Sequence, residues 1–321
     1  MIKSAIKFFT IDDNHHGQRI DNFLFKNIKN VPRSHIYKII NSGEVRVNKK
    51  RIKPVYKVKI NDIIRTPPIS QPNLLNNKQN HNRLYNNYSQ PLILFEDDHY
   101  LIINKPAGRA CHGGGGISQG LIEQMRLQFC YKFLELVHRL DKNTAGILVF
   151  AKKRAALVAL QRSIKQHQVV KEYTLLSLGN VTKQEFTTQL PLYKFINKDN
   201  QRLVKVDFKN GKPSHTEFKV ITKINDQNHN QFTLLKARLL TGRTHQIRVH
   251  MQYINHPILG DDKYGNFTIN NQLAKKYNFN QMFLFADFFS FKHYNTNQEI
   301  NIKIDLPKNY QQLLNEIKKN D

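Results

Sequence analysis

Residues 136–152, LVHRLDKNTAGILVFAK, decide how the chain is read. An apolar, strand-like run ends at Arg139-Leu140-Asp141-Lys142, turns through Asn143 to Gly146, and becomes apolar again. One carboxylate therefore lies between two cations, at a turn joining two buried segments. An isolated carboxyl beside Arg139 and Lys142 is expected to keep a low pKa and to be ionised at neutral pH. In that state it can act as a nucleophile or an electrostatic stabiliser. The same Asp-Lys-Asn-Thr composition also suits a plain turn or helix cap.

The charge balance points to the partner. Among 321 residues, 50 Lys+Arg against 24 Asp+Glu leave a formal charge of +26, a field that attracts polyanions, of which nucleic acid is the commonest. Abundant Asn, Ile and Lys suggest an AT-rich genome, but such a bias does not explain the shortage of acids. Two cysteines, Cys111 and Cys130, exclude a disulfide framework and a cysteine-rich metal site. The N-terminus lacks an apolar core and cleavage site, and no run is long enough to cross a bilayer, so a cytoplasmic protein is expected.

Residues 71–91, QPNLLNNKQNHNRLYNNYSQP, hold 7 Asn and no period, which reads as a flexible linker. The expected organisation is an extension over 1–16, a small module over 17–66, a linker over 67–91 and a large module over 92–321. In the small module, Ile20, Phe23 and Leu24, and again Ile36, Ile39 and Ile40, fall at helical spacing. Ser34 is placed to cap the second helix after Pro32, and Ser42-Gly43 to stop it. EVRVNKKRIKP then alternates as strand and turn. From Gly17 to Pro67, 13 Lys+Arg and 3 Asp+Glu leave about +10, and Arg33, Lys38, Arg46, Lys49, Lys50 and Arg51 gather around the second helix and the following turn. One basic face on a compact unit suits phosphate contacts.

In the large module, residues 99–108, 171–179 and 232–240 read as strands and residues 153–166 as an amphipathic helix. THQIRVHMQYIN (244–255) sets Ile247, Met251 and Ile254 at helical spacing, with Thr244 placed to cap its start and Asn255 suited to a left-handed end. The fold class expected is α+β with a mixed, mainly antiparallel central sheet, beside the small N-terminal α/β domain.

Gly113-Gly114-Gly115-Gly116 lacks the Gly-Lys-Ser/Thr of a phosphate loop and reads better as a loop beside a cleft. His245 and His250 are five apart, so no metal site is expected. There is no G-x-S-x-G elbow. Arg248 lies on the edge of a buried helix face, where it either takes a bidentate carboxylate partner or snorkels to solvent. Tyr173, in Lys171-Glu172-Tyr173 at the start of a strand, either packs half-buried or stacks on an unpaired base.

Two resemblances cover nearly the whole chain. GQRIDNFL followed by VPRSHIYKIINSGEVRVNKKRIKP resembles the alpha-L RNA-binding motif. INKPAG, HRLDKNTAGILVFAKKRAAL, KEY, LLTGRTHQIRVHMQYINHPILGDDKYG and MFLFADFFSF together resemble the RluA-type pseudouridine synthases, in particular those acting on bacterial large-subunit ribosomal RNA. The resemblance implies the pseudouridine synthase fold and isomerisation of uridines by base flipping. It implies Asp141 as nucleophile, and Arg139 as the filler of the gap left by the extruded uridine. Tyr173 would stack on the base and help remove its C5 proton, and Arg248 would pair with Asp141. Arg243, Lys105 and the loop 112–116, with His112, would line the cleft. Large-subunit ribosomal RNA is the implied partner, with no cofactor, metal or membrane, and a monomeric state. Ala145, Asn255 and Phe285 depart from the residues usual in that family, and bear on the shape of the cleft. Two rivals are a non-catalytic RNA-binding ribosome-assembly factor on the same fold, and a glycosidic hydrolase, which generally needs a second acid.

Overall fold

The computed structural model describes residues 2–3, 5–28, 31–71, 91–113, 119–129, 131–226 and 229–319. Most of the expected linker, 72–90, and Gly114 to Gly116 of the glycine run lie outside these described residues. The chain divides into two compact units, Met1–Ser89 with Lys153–Ala155, and Gln90–Lys152 with Ala156–Asp321.

In the first unit, strands β1 (Ile2–Lys3), β2 (Lys7–Thr10), β3 (Arg46–Val47), β4 (Lys50–Arg51), β5 (Ile63–Thr66) and β6 (Ser70–Gln71) accompany helices Ile20–Asn27 and Arg33–Asn41. The sheet runs β2-β5-β3-β4, all antiparallel, and β1 pairs with β6. Ile20, Phe23 and Leu24 meet Ile36, Ile39 and Ile40 over Val45, Val47 and Ile64, so the helical spacing marks the buried face. Asn48 and Lys49 both take positive φ (49° and 68°), the geometry that matches the twist of a two-residue hairpin. Two expectations are corrected. β2 belongs to this sheet, so the segment 1–16 is more than an extension. The helix after Pro32 begins at Arg33, with Pro32 itself at the cap position and no side-chain cap bond, so Ser34 lies inside the first turn.

The second unit adds β7 (Leu92–Glu96), β8 (Tyr100–Lys105), β9 (Glu135–Leu136), β10 (Ala145–Ala151), β11 (Val170–Leu178), β12 (Glu185–Gln189), β13 (Leu192–Ile196), β14 (Arg202–Val206), β15 (His215–Asn225), β16 (Gln231–Leu239), β17 (Leu284–Lys292) and β18 (Glu299–Lys303). Its main sheet has ten strands in the order β12-β15-β16-β11-β17-β10-β8-β7, with β18 on β17 and β9 on β10. A β13–β14 hairpin stands apart from it. Every pairing in that sheet is antiparallel except β10 on β17.

Strand periodicity sorts the side chains into two layers. Leu101, Ile103, Leu148 and Phe150 enter one core with Ile247 and Met251 of helix Gln246–Tyr253. Tyr100, Ile102, Ile147 and Val149 enter another with Ala156 and Leu160 of helix Arg154–Lys165. β10 is buried along its whole length, which is why it reads as an unbroken apolar run. Gly146 has φ +114°, and a Cβ there would sit 2.1 Å from the Ala286 carbonyl oxygen. Only glycine lets β10 close on β17 at this point, directly after the Asp141 turn.

Candidate active site

The Asp141 turn is closed by Thr144 N–H donating to the Asp141 carbonyl at 3.2 Å. Three buried groups hold it. The Cys111 thiol contacts the Leu140 carbonyl at 3.2 Å, and the Leu140 N–H points back to the sulfur at 3.3 Å. Lys105 Nζ donates to the carbonyls of Pro106 (3.0 Å), Arg109 (2.8 Å) and Lys142 (3.1 Å), tying the Pro-Ala-Gly turn to this one. Arg248 Nη1 lies 3.4 Å from Asp141 Oδ2.

Lys105 is 0% exposed, so the expectation that it lines the cleft is corrected. Burial pulls its pKa down to about 8 despite the opposing pull of Cys111 and Asp141. The three carbonyls take up its donors and compensate its burial.

Arg248 is 3% exposed, and its main partner is not Asp141. Its Nε and Nη2 form a fork with Asp261 at 2.7 and 2.6 Å, Nη2 also reaches Asp262 at 2.8 Å, and the guanidinium lies over the Tyr264 ring at 5.1 Å. Burial opposes its charge, yet the hydrogen-bonded Asp261 and the nearby Asp141 and Asp262 raise its pKa above the ordinary arginine value. The bidentate partner expected of a buried Arg is thus supplied by Asp261, leaving Nη1 for Asp141.

His245 also faces the Asp141 carboxylate, with Nε2 at 3.8 Å from Oδ2. It has φ +54° at the N-cap of helix Gln246–Tyr253, with no side-chain cap bond, so Thr244 is not the cap. Gln246 instead joins the loop, its Oε1 accepting from Thr241 Oγ1 (2.8 Å) and Arg243 N–H (2.9 Å). A non-glycine residue in the left-handed region costs free energy and tends to persist at functional sites. The Tyr264 hydroxyl accepts from Val204 N–H at 2.9 Å and lies 2.7 Å from His245 Nδ1. The phenol oxygen keeps both a proton and a second lone pair, so this contact is compatible with either neutral tautomer of the ring, and Nε2 faces Asp141. Burial lowers the His245 pKa against the pull of Asp141, consistent with a neutral ring.

Asp141 opens on two depressions. One, about 220 Å³, is lined by Arg139, Lys171, Tyr173, Arg243, His245 and Leu284. The other, about 270 Å³, is lined by Cys111, His112, Lys142, Asn143 and Asp262. Arg139 and Arg243 are exposed beside the first, and Arg243 Nε donates to the Pro213 carbonyl at 3.1 Å. Tyr173 is 7% exposed; burial, then the charges of Asp141 and Cys111, push its phenol pKa up, so the hydroxyl keeps its proton at neutral pH. Ala145 and Phe285 face each other across β10 and β17 and pack in the core beside Tyr310, away from the cleft. Asn255 takes φ +63°, the backbone that the glycine usual there would adopt. None of these three residues lines either depression.

In the first unit, Arg33, Lys38, Arg46, Lys49, Lys50 and Arg51 are all exposed. Arg46, Lys49 and Arg51 ring an open depression with Arg65. One His-rich group, Asp97, His99 and His293, is close enough to share an ion among the described residues. His293 Nδ1 accepts from Thr296 N–H at 3.2 Å, which leaves the proton of the neutral ring on Nε2, 3.1 Å from an Asp97 oxygen but without hydrogen-bond geometry. A metal-binding histidine needs the opposite arrangement.

The profile described as "RNA pseudouridylate synthase" matches residues 99–253, and that described as "S4 domain" matches 18–64. Ribosomal large subunit pseudouridine synthase C of Pasteurella multocida is 42% identical over 98% of this chain and 94% of its own length. The chain belongs to the pseudouridine synthase family. The protein of the same name from Escherichia coli K12 is 40% identical over 98% of this synthase and 97% of that chain. The solved structure of human RNA Pseudouridylate Synthase Domain Containing 4 superposes with a TM-score of 0.58 at 23% identity, over 74% of this chain and 97% of that one, and shares the fold. No helix among the described residues is long and apolar enough to cross a membrane.

The sequence alone does not single out His245, Asp261, Asp262 or Lys171 as site residues. It does hold a signal for Lys171: two positions from Tyr173 on a strand, it shares the face of that tyrosine.

Proposed function

We propose that this synthase isomerises specific uridines of large-subunit ribosomal RNA, with Asp141 as the nucleophile acting on a flipped-out nucleoside. The observation that carries the reading is a carboxylate at a cleft, 3.4 Å from a buried guanidinium and lined alongside a buried tyrosine. In the reaction the N1–C1′ bond breaks, the base turns, C5 bonds to C1′, and the C5 proton is replaced by one on N1. A base inside a stack cannot turn, so it is first extruded, at a cost of a few kcal/mol. Exposed Arg139 at the cleft mouth is placed to fill the vacated stack, and the +26 field supports binding. The Tyr173 ring offers the base a face. Its protonated phenol can accept the C5 proton only as its own proton leaves. The substrate reading rests on the names of the relatives and on the S4 domain.

Asp141→Asn is expected to keep its fold and to lower pseudouridine formation in an unmodified large-subunit ribosomal RNA transcript by at least about 10³-fold. Turnover close to wild type would remove the nucleophile reading.

A further inference from the structure

The cleft holds a largely buried charged group that none of the steps above uses. Lys171 is 9% exposed, lines the same depression as Asp141 and Tyr173, and has no hydrogen bond or ion pair among the described residues. Its neighbours offer no compensation. His138 Nε2 is already taken, accepting from Val149 N–H at 3.2 Å, and Arg139 and Arg243 share the sign of Lys171. Ile164, Leu239 and Leu284 are apolar, and Gly242 lies against the ammonium. The Lys171 Nζ is not sealed from water but opens on the depression with no protein acceptor among the described residues, and burial of the side chain lowers its pKa. Lys105, also buried, shows the contrast, because all its donors are used. Such a group is retained where the missing acceptor arrives with a ligand.

We propose that Lys171 is the uracil-reading residue of this synthase, donating to a ring carbonyl of the flipped base while the Tyr173 ring packs against its face. The placement follows from strand geometry, since residues two apart on β11 present to one side. The reaction itself supplies a second reason. Turning uracil half a revolution about its N3–C6 line exchanges N1 with C5, as isomerisation requires, and exchanges O2 with O4 at the same time. A donor beside that line therefore meets a carbonyl oxygen before the turn and after it. Cytosine carries an amine in place of O4, and an ammonium facing that amine would be left unpaired. Sites built around a buried donor reject such analogues strongly.

The inference rests on the family's reaction and on the proposed ribosomal RNA substrate, and two measurements separate them. Lys171→Met keeps the length and packing of the side chain. In single-turnover reactions on the unmodified large-subunit ribosomal RNA transcript, its rate at saturating RNA is expected to fall about 10²-fold, with half-saturation within about threefold of wild type. Its Tm is expected to equal or exceed that of wild type, because a largely desolvated charge without a protein partner has gone. A rate equal to wild type, or a Tm fall that tracks the activity, overturns the role of Lys171. Absence of wild-type turnover on this transcript overturns the substrate, and the melting comparison still decides on Lys171.

Discussion

Each residue at Asp141 acts through what its neighbours make possible. Asp261 fixes two edges of the Arg248 fork, so only Nη1 is left to face Asp141. Tyr264 holds the His245 ring at Nδ1, which turns Nε2 toward Asp141 Oδ2. Both side chains approach the same oxygen, and Oδ1 has no such partner among the described residues. On the proposed reading, Oδ1 is the oxygen that reaches the sugar carbon. The distances of 3.4 and 3.8 Å are long for hydrogen bonds, as is common before substrate closes such a site. His245→Asn separates backbone from side chain, since Asn tolerates φ +54° but is too short to reach Asp141. Its turnover rate at saturating RNA is expected to fall about tenfold or more with an unchanged Tm, measured by single-turnover kinetics and calorimetry. An unchanged rate would make His245 a bystander.

At the scale of elements, the strands and helices of the large unit are legible in the sequence because their apolar periods are long. β10 and helix Gln246–Tyr253 carry their patterns over two or more turns or pleats. What stays hidden depends on contacts that no local pattern records. Ser34 and Thr244 look like caps, yet one helix starts at Pro32 and the other at a left-handed His245 tied to Tyr264. β2 is only four residues long and is identified by its pairing with β5. Lys105 reads as cleft lining because a surface role is the default for lysine, whereas three carbonyls from two loops claim it. Asp261 and Asp262 stand thirteen and fourteen positions from Arg248, a separation no helical or strand period connects. Gly146 shows the same dependence on a partner strand. Gly146→Ala combines a left-handed φ with a clash on Ala286, and should cost about 3 kcal/mol in urea unfolding while lowering turnover. A cost below about 1 kcal/mol would mean that β10 and β17 adjust freely.

The whole molecule carries its charge unevenly, and that distribution has a measurable signature. The first unit holds about +10 between Gly17 and Pro67, with Arg46, Lys49, Lys50 and Arg51 all exposed. Replacing these four by Ala is expected to weaken RNA binding without touching the rate at saturating RNA. The slope of log affinity against log salt should become shallower by roughly 0.7–0.9 for each phosphate that is no longer neutralised, read by filter binding over a potassium chloride series. An unchanged slope would place the RNA grip elsewhere.

The centre of the cleft matches charges that its rim leaves free. Arg248 is set among three carboxylates, Asp141, Asp261 and Asp262, while Arg139, Lys142 and Arg243 stand exposed around the two depressions. On the proposed reading a polyanionic strand is gripped by that exposed collar, because the deeper guanidinium is already neutralised and has no surplus charge for a phosphate. The uncharged nucleoside is then the part of the chain free to descend toward Asp141.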